Sequence, residues 1–503
     1  PPLPHRAEAA LYLQGEIPNK SFGQQTLARH RYRMPETDVL RKMNLNRLFT
    51  AQDMTIGKPW KQITQFAVPM LIGNLAQQLY STVDTIVVGK YVGDNALSAV
   101  GSASPILNLM LALFVGVATG AGIVVSQHYG AKNREALAQS IGNCITLAAL
   151  ASVITMVLGP LLTMPLLRLL KTPESILFWC RDYLVIFFLG AAGFTFYNIL
   201  SGILRGLGDS LSALAFLIVA TVLNIFLDIW FVAGFGMGVA GVSLATIIAQ
   251  IISAVCCYWR LAHMTDVFRL RREHLRLTKD CAMRIIQVGI PSGITQAIFS
   301  VSMLVVQTLT NSLGEMVIAC NVIVMRVDGF AMMPNMTFGN AMSVYSGQNV
   351  GAGKLKRVEE GTRQGLLLSV GASAAITLLL LLFGRNLMHL FTQTEALIDL
   401  SARMLRILAA GYIAMAVSQV LGGIMRGAGD TVTPMWLSVI STVLLRLPLA
   451  YGMAALTRCD AYPNGRPEAL FGSLLITWVL GSGMHFLAYR SGIWKKKINY
   501  EAM

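Results

Sequence analysis

Two carboxylates and two neutral oxygen donors stand inside otherwise apolar stretches in the first half of this 503-residue chain: Asp84, Asn224, Asp228 and Thr246. Asn224 precedes Asp228 by one helical turn, so the two side chains fall on one helix face. Carboxylate, amide and hydroxyl oxygens are hard ligands that suit a proton or Na⁺. A carboxyl group in low-dielectric surroundings without a partner holds its proton more tightly, as a proton carrier requires.

These residues must be positioned by membrane helices. The chain is 54% hydrophobic and only 13% charged, with a mean hydropathy of +0.59. A soluble protein carries about a quarter charged residues. Apolar stretches of the ~20 residues that cross a bilayer recur at 62–88, 96–126, 138–161, 176–200, 211–234, 238–260, 282–309, 316–345, 362–384, 399–424, 433–456 and 468–490. They do not alternate as barrel strands do. The predicted fold is an all-α polytopic membrane protein of twelve spans. Lys and Arg collect in alternate loops, among them 261–281 with Arg269, Arg271, Arg272, Arg276 and Lys279. That asymmetry places both termini in the cytoplasm of a plasma-membrane protein and accounts for the +15 net charge without nucleic acid. With this orientation Asp84 and Asp228 approach the outer ends of spans 1 and 5. Thr246 lies ~12 Å into span 6. Ionisable groups inside spans are costly and are functional candidates by default.

The chain repeats itself. GILRGLGDS (202–210) returns as GIMRGAGDT (423–431), 221 positions later. The same offset lays QHYGA (127–131) on QNVGA (348–352) and Gly93 on Gly314. Two halves of six spans enter the membrane in the same direction. A pseudo-twofold axis along the membrane normal, with a cavity between the lobes, follows. The expected organisation is a polar extension (1–53) outside the native fold, an N-lobe (54–265), a basic linker (266–281), a C-lobe (282–492) and a basic tail (493–503).

Each copy of the repeated phrase ends a fourth span. Arg205 and Arg426 sit where the helix carbonyl end favours a cation. Gly206 and Gly208, with Gly429 in the second copy of the hairpin, are its turn glycines, and Gly206 and Gly208 can adopt the left-handed conformation that closes a helix. Asp209 or Ser210 can cap the next helix, as can Asp430 or Thr431. The phrase reads as a tight hairpin or as a cytoplasmic gate.

The second half lacks the carboxylate pair, since Asp84 maps to Val305 and Asp228 to Leu449. It carries instead Arg326 and Asp328 in span 8 and Arg446 in span 11. These form either an internal Arg–Asp pair or, with Gln296 and Met333, a polar substrate wall. Methionines such as Met332, Met333 and Met336 pack plainly or adapt to varied apolar ligands. Pro69, Pro291 and Pro334 are candidate bending points.

VDTIVVG (83–89), LNIFLD (223–228), GQNVGAG (347–353) and the two RGxGD hairpins occur in this order across about 58–490. In these features the chain resembles multidrug and toxic compound extrusion (MATE) transporters. The resemblance implies an antiporter that admits H⁺ or Na⁺ and expels amphipathic, often cationic compounds. It also implies an N-lobe cation site at Asp84, Asn224, Asp228 and Thr246. After Pro291 the stretch SGITQAIFSVSM (292–303) holds no carboxylate where some members carry one, which weighs against a C-lobe Na⁺ site.

Other classes fit less well. GQNVGAGK (347–354) has Gln348 and Leu355 where a phosphate-binding loop needs Gly and Ser or Thr, so no ATP use is expected. The seven cysteines show no CxxC or metal spacing, and no HExxH occurs. We expect no enzyme activity, no cofactor and no metal beyond a possible Na⁺. A monomer in the bilayer, handling a small amphipathic substrate, is expected. A flippase for lipid-linked saccharides is the alternative, since Arg326 and Arg446 suit phosphates.

Overall fold

The structure is a computed structural model that describes residues 51–170, 172–460 and 462–498. The expected polar extension lies outside the described residues as far as residue 50, as do residues 499–503 of the tail. Among the described residues the fold is helical, with one isolated bridge between Cys459 and Tyr462.

The first half contains α1 (Pro59–Tyr91), α2 (Asp94–Gly130), α3 (Arg134–Leu169), α4 (Glu174–Leu189), α5 (Ala191–Gly206), α6 (Ser210–Asp228) and α7 (Gly238–Ala262). The second contains α8 (Lys279–Ser312), α9 (Glu315–Gly351), α10 (Leu355–Met388), α11 (Glu395–Gly427), α12 (Val432–Val439), α13 (Arg446–Leu456) and α14 (Pro467–Arg490), followed by a short α15 (Ile493–Lys496). Ten of the described helical segments are long and apolar enough to cross a membrane. The pair α4–α5, bent by 53° at Gly190, makes an eleventh. The expected first crossing is α1, an unbroken helix of 33 residues. Asn74, Gln77 and Asp84 make it more polar than the others; Asn74 and Gln77 line the central cavity, while Ile72, Leu75, Leu79 and Ile86 on the same helix are exposed.

Lipid-facing surfaces follow from exposure. Leu158, Leu161 and Leu162 on α3 and Leu378, Leu379 and Leu382 on α10 are exposed; on a membrane protein such residues meet hydrocarbon. Each half has its own apolar core, one around Ile141, Ile199 and Leu204, the other around Leu405, Leu408 and Tyr412.

The halves are not cleanly separate lobes. Before α1, Met54 is fully buried, and with Ile63 and Phe66 it packs among Tyr345, Ile424 and Trp494 of the second half. Symmetrically, α8 packs chiefly on α2 of the first half. That crossing is close because it is built from glycines: a Cβ on Gly116 would lie 2.5 Å from the Gly293 backbone, and one on Gly120 2.7 Å from Gly289. Small residues permit such approach between membrane helices.

The linker is docked rather than loose. A single 3₁₀ turn, Arg272–Leu275, rests on α3. Asn143 accepts a hydrogen bond from the Thr278 backbone at 3.0 Å, and Thr146 donates to the Leu275 carbonyl at 2.6 Å. Pro69, Pro291 and Pro334 lie within unbroken helices. The one bend above 40° at a short break among the described spans is at Gly190 instead.

Candidate cation site and central cavity

The four oxygen donors of the first half come together. Asp84 enters from α1, Asn224 and Asp228 from α6, and Thr246 from α7. The Asp84 carboxyl is within hydrogen-bonding reach of that of Asp228, and the Asn224 amide donates to Thr246 Oγ1 at 3.4 Å. Asn224 and Asp228 are wholly buried. Neither oxygen of Asp228 meets a donor from the described residues, nor does the amide oxygen of Asn224. Two carboxyl groups facing each other are both acceptors when ionised, so a bond between them needs a proton or a cation. The far end of the site is closed by Val87, Val88, Val232, Val239 and Val242.

Three features here were not legible in the sequence. Tyr183 of α4 lies close to both carboxyl groups. Gln250, one turn beyond Thr246, has a buried side-chain oxygen without a donor. With Thr221 and Arg205 it lines a cavity of about 90 Å³ inside the first half. Third, α6 passes directly into a π-turn, Ile229–Gly234, after Asp228. A second π-turn, Ile440–Leu445, directly precedes Arg446. Such turns widen the helix and re-aim neighbouring side chains, and they are frequent at functional sites.

The two hairpins lie at the opposite end of the bundle. Asp228 is 18 residues beyond Ser210 on α6, about 27 Å along the helix. The capping expectation holds at both copies: Asp209 accepts from the Ser212 backbone at 3.0 Å and Asp430 from Thr433 at 3.1 Å. Each cap also pairs with a cation, Arg260 at 3.0 Å and Lys497 at 2.8 Å. Gly208 and Gly429 have φ of 84° and 98°, the left-handed region that glycine tolerates.

The repeated phrases exchange bonds across the two halves. Gln127 donates to the carbonyl of Gly427 at 2.9 Å. Gln348, its counterpart, donates to the carbonyl of Gly206 at 3.2 Å. Gly130 packs on the Gln348 backbone and Gly351 on the Gln127 backbone, so close that a Cβ at either would overlap a carbonyl oxygen. This reciprocity is the pseudo-twofold axis written in contacts, and it closes the hairpin end.

Above that closure lies a central cavity of about 360 Å³ lined by both halves. Gln296 and Arg446 line it, as expected of a substrate wall, and so do Arg205 and Arg426. Other candidates fall elsewhere. Arg326 is exposed, on a different face of α9 from Asp328. Asp328 lies behind the wall, near Tyr412 and Arg446, but no ion pair within 4.0 Å joins it to either Arg326 or Arg446. Met333 is not on the wall, whereas Met336 is. A helix presents residues two apart to different sides, which is why the 326/328 pair splits.

Comparison with known proteins places this geometry. The MatE family model matches the chain twice, at 69–230 and 291–452. The probable multidrug resistance protein YpnP of Bacillus subtilis is 30% identical over 446 residues, covering 88% of this chain and 98% of its own length. YoeA of the same organism, also a probable multidrug resistance protein, is 28% identical over 87% of this chain and 95% of its own. Among solved structures, the fold matches an outward-facing multidrug resistance MATE transporter with a TM-score of 0.82 at 21% identity, covering 89% of this chain and 99% of that one. It also matches a MOP superfamily transporter from Pyrococcus furiosus, described as having a binding pocket of reverse polarity, with a TM-score of 0.81 at 22% identity, covering 88% and 98%.

Proposed function

Since the chain belongs to the MatE family of multi-pass membrane transporters, we propose that it is a secondary antiporter that exports amphipathic small molecules in exchange for H⁺ or Na⁺. The observation that carries this reading is the buried Asp84–Asp228 pair, with Asn224 and Thr246 beside it and no donor on Asp228. Occupation of that site by a cation changes the charge on α1 and α6 at the end remote from the hairpins. Substrate occupies the central cavity. Ligands of either kind shift a two-state equilibrium only by their differential affinity for the two states. In the state described here the Gln127 and Gln348 bonds hold the hairpin end closed.

In this proposal the hairpins, with Arg205, Gly208, Asp209, Arg426, Gly429 and Asp430, form the cytoplasmic gate of a monomer in the plasma membrane with both termini inside. The multidrug resistance relatives support export as its direction. The test is efflux of a fluorescent amphipathic compound from proteoliposomes under an imposed pH gradient or an imposed Na⁺ gradient, with Asp84→Asn and Asp228→Asn alongside. Efflux driven by one gradient and lost in both variants names the ion. Equal efflux in wild type and variants removes the carboxyl pair from the coupling.

A second reading, a flippase for lipid-linked saccharides, is favoured by one observation: arginines but no carboxylate line the central cavity. Enrichment of a phosphate-bearing glycolipid on the purified protein from a lipid extract would decide for it. The same lining bears on the expectation of a cationic substrate.

A further inference from the structure

We infer that the central cavity, which Arg205, Arg426 and Arg446 line, takes as its ligand an amphipathic anion: a carboxylate, phosphate or sulfonate head on an apolar body. The inference deepens the export reading, and rests on it only for the direction in which the ligand moves.

The first observation is charge. All three arginines line the cavity, and no Asp or Glu does. Among the described residues, no carboxylate lies within 4.0 Å of any of the three. Arg205 is held by Ser201, to whose Oγ it donates at 2.8 Å. The guanidinium groups of Arg426 and Arg446 donate no hydrogen bond to the described residues. Neither the Asp84–Asp228 pair nor Asp328 lines this cavity, although Asp328 lies behind the wall near Arg446. A cleft walled by one sign of charge in low-dielectric surroundings concentrates the opposite ion. Guanidinium groups hold carboxylate and phosphate through a planar fork and shed water more readily than ammonium.

The second observation is the neutral polar groups that accompany the arginines. His485 Nδ1 faces the Gly481 carbonyl at 2.8 Å, so that nitrogen carries the hydrogen and donates. Its Nε2 then presents a lone pair. The atom lies 3.6 Å from where a Cβ on Gly422 would sit, and Arg426 Nη1 lies 3.3 Å from the same point. The imidazole and the Arg426 guanidinium thus both border Gly422, with no hydrogen bond between them. Ser343, buried on the cavity wall, has a hydroxyl without a partner and can add a neutral donor.

A purely structural role explains only part of this. Arg205 and Arg426 sit in the last turns of α5 and α11, where helix carbonyls favour a cation. Arg446 is in the interior of its span, directly after the π-turn, and the nearby Asp328 makes no ion pair with it within 4.0 Å. Phe299, Trp478, Met336 and Met415 supply apolar surface on a wall that also carries amides and hydroxyls such as Asn198 and Thr477. The cavity volume of about 360 Å³ falls within the usual range for small-molecule sites.

The test compares two probes with one body: pyrenebutyrate and pyrenebutyl-trimethylammonium. Each is titrated onto the full chain in phosphatidylcholine nanodiscs. The anion should bind at least tenfold more tightly than the cation. Arg426→Gln/Arg446→Gln should lose that tenfold, and Arg446→Lys, which keeps charge without the fork, should retain part of it. Equal or tighter binding of the cation overturns the site, as does unchanged anion affinity in a folded double variant. If the double variant does not fold, the wild-type preference between the probes decides alone. A pyrene-labelled phosphatidic acid replaces pyrenebutyrate in a second arm. The tighter of these two anions tells a lipid headgroup from a soluble ligand. Gradient-driven efflux of the ammonium probe without the anion would overturn this site and leave antiport standing. Anion binding without gradient-driven transport would uphold the site and sink antiport.

Discussion

The side-chain amide of Gln127 donates to the carbonyl oxygen of Gly427, in the other half of the molecule, at 2.9 Å. Its repeat counterpart, Gln348, does the same to Gly206 at 3.2 Å and also accepts from the Met54 backbone at 2.8 Å. A helix-end carbonyl that has lost its intrahelical partner is satisfied in each half by the other half. A hydrogen bond of this kind contributes about 0.5–1.5 kcal/mol, enough for the pair to bias a gate without fixing it. Gln127→Ala/Gln348→Ala should therefore populate a state open at the hairpin end. Spin labels at Lys132 and Lys356, exposed on opposite halves, should report longer distances in the double variant. An unchanged distance distribution would show that the bonds do not hold the gate.

Glycine crossing should matter more than the amides. A Cβ on Gly351 would overlap the Gln127 carbonyl, and one on Gly130 the Gln348 carbonyl. Backbone on both sides leaves nothing flexible to yield. Gly351→Ala should abolish the closed state rather than weaken it, with the same spin-label pair shifted fully to the longer distance and transport lost. Wild-type transport with this variant would show that the two helix ends have room to separate.

The carboxyl pair gives a prediction about stability as well as transport. Replacing one of two facing carboxylates with a neutral amide removes like-charge repulsion and leaves a donor for the remaining partner. Asp228→Asn should reduce gradient-driven efflux at least tenfold while the melting temperature holds or rises. A large fall in melting temperature would recast Asp228 as a structural residue. If Na⁺ is the ion, adding it should raise the wild-type melting temperature by mass action and leave the variant unmoved.

Charge movement separates the two substrate classes. Export of a monoanion against import of one H⁺ or Na⁺ carries two charges in the same electrical direction, worth about 4.6 kcal/mol at 100 mV. A monocation exchanged for one H⁺ or Na⁺ carries none. A potassium-diffusion potential, negative inside, should therefore accelerate efflux of pyrenebutyrate. Indifference to the potential would argue for electroneutral exchange.

The docked linker is testable by proteolysis. Asn143 is buried and its side-chain oxygen accepts from the Thr278 backbone. Asn143→Ala leaves that amide without its partner, at about 1–3 kcal/mol. Trypsin should cut the variant faster at Arg271 and Arg272. Equal cleavage rates would mean that the 3₁₀ turn is held by other contacts.

Much of the cation site was legible because charge inside an apolar span is rare. Asp84, Asn224, Asp228 and Thr246 stand out for that reason, and depth along the helices put them at one level. The hairpin caps Asp209 and Asp430 were legible too, because capping is decided within three residues. The second half resisted the same reading. Arg326 and Asp328 look like a pair in sequence, yet they point to different sides of α9. Arg205 and Arg426 look like helix-end residues, and only the tertiary fold shows that they also wall the cavity.

The sequence by itself determined the helices, their two-fold repetition, the family and the residues able to hold a cation, because apolarity, helical spacing and capping act over a few neighbouring residues. Only the tertiary structure decided that Gln127 and Gln348 exchange partners between halves, that Tyr183 joins the carboxyl pair, and that the cavity is walled by arginine alone among charged residues. Those relations depend on which helix faces cross which others. Side chains some 300 positions apart meet only once the glycine crossings have brought the two backbones into contact.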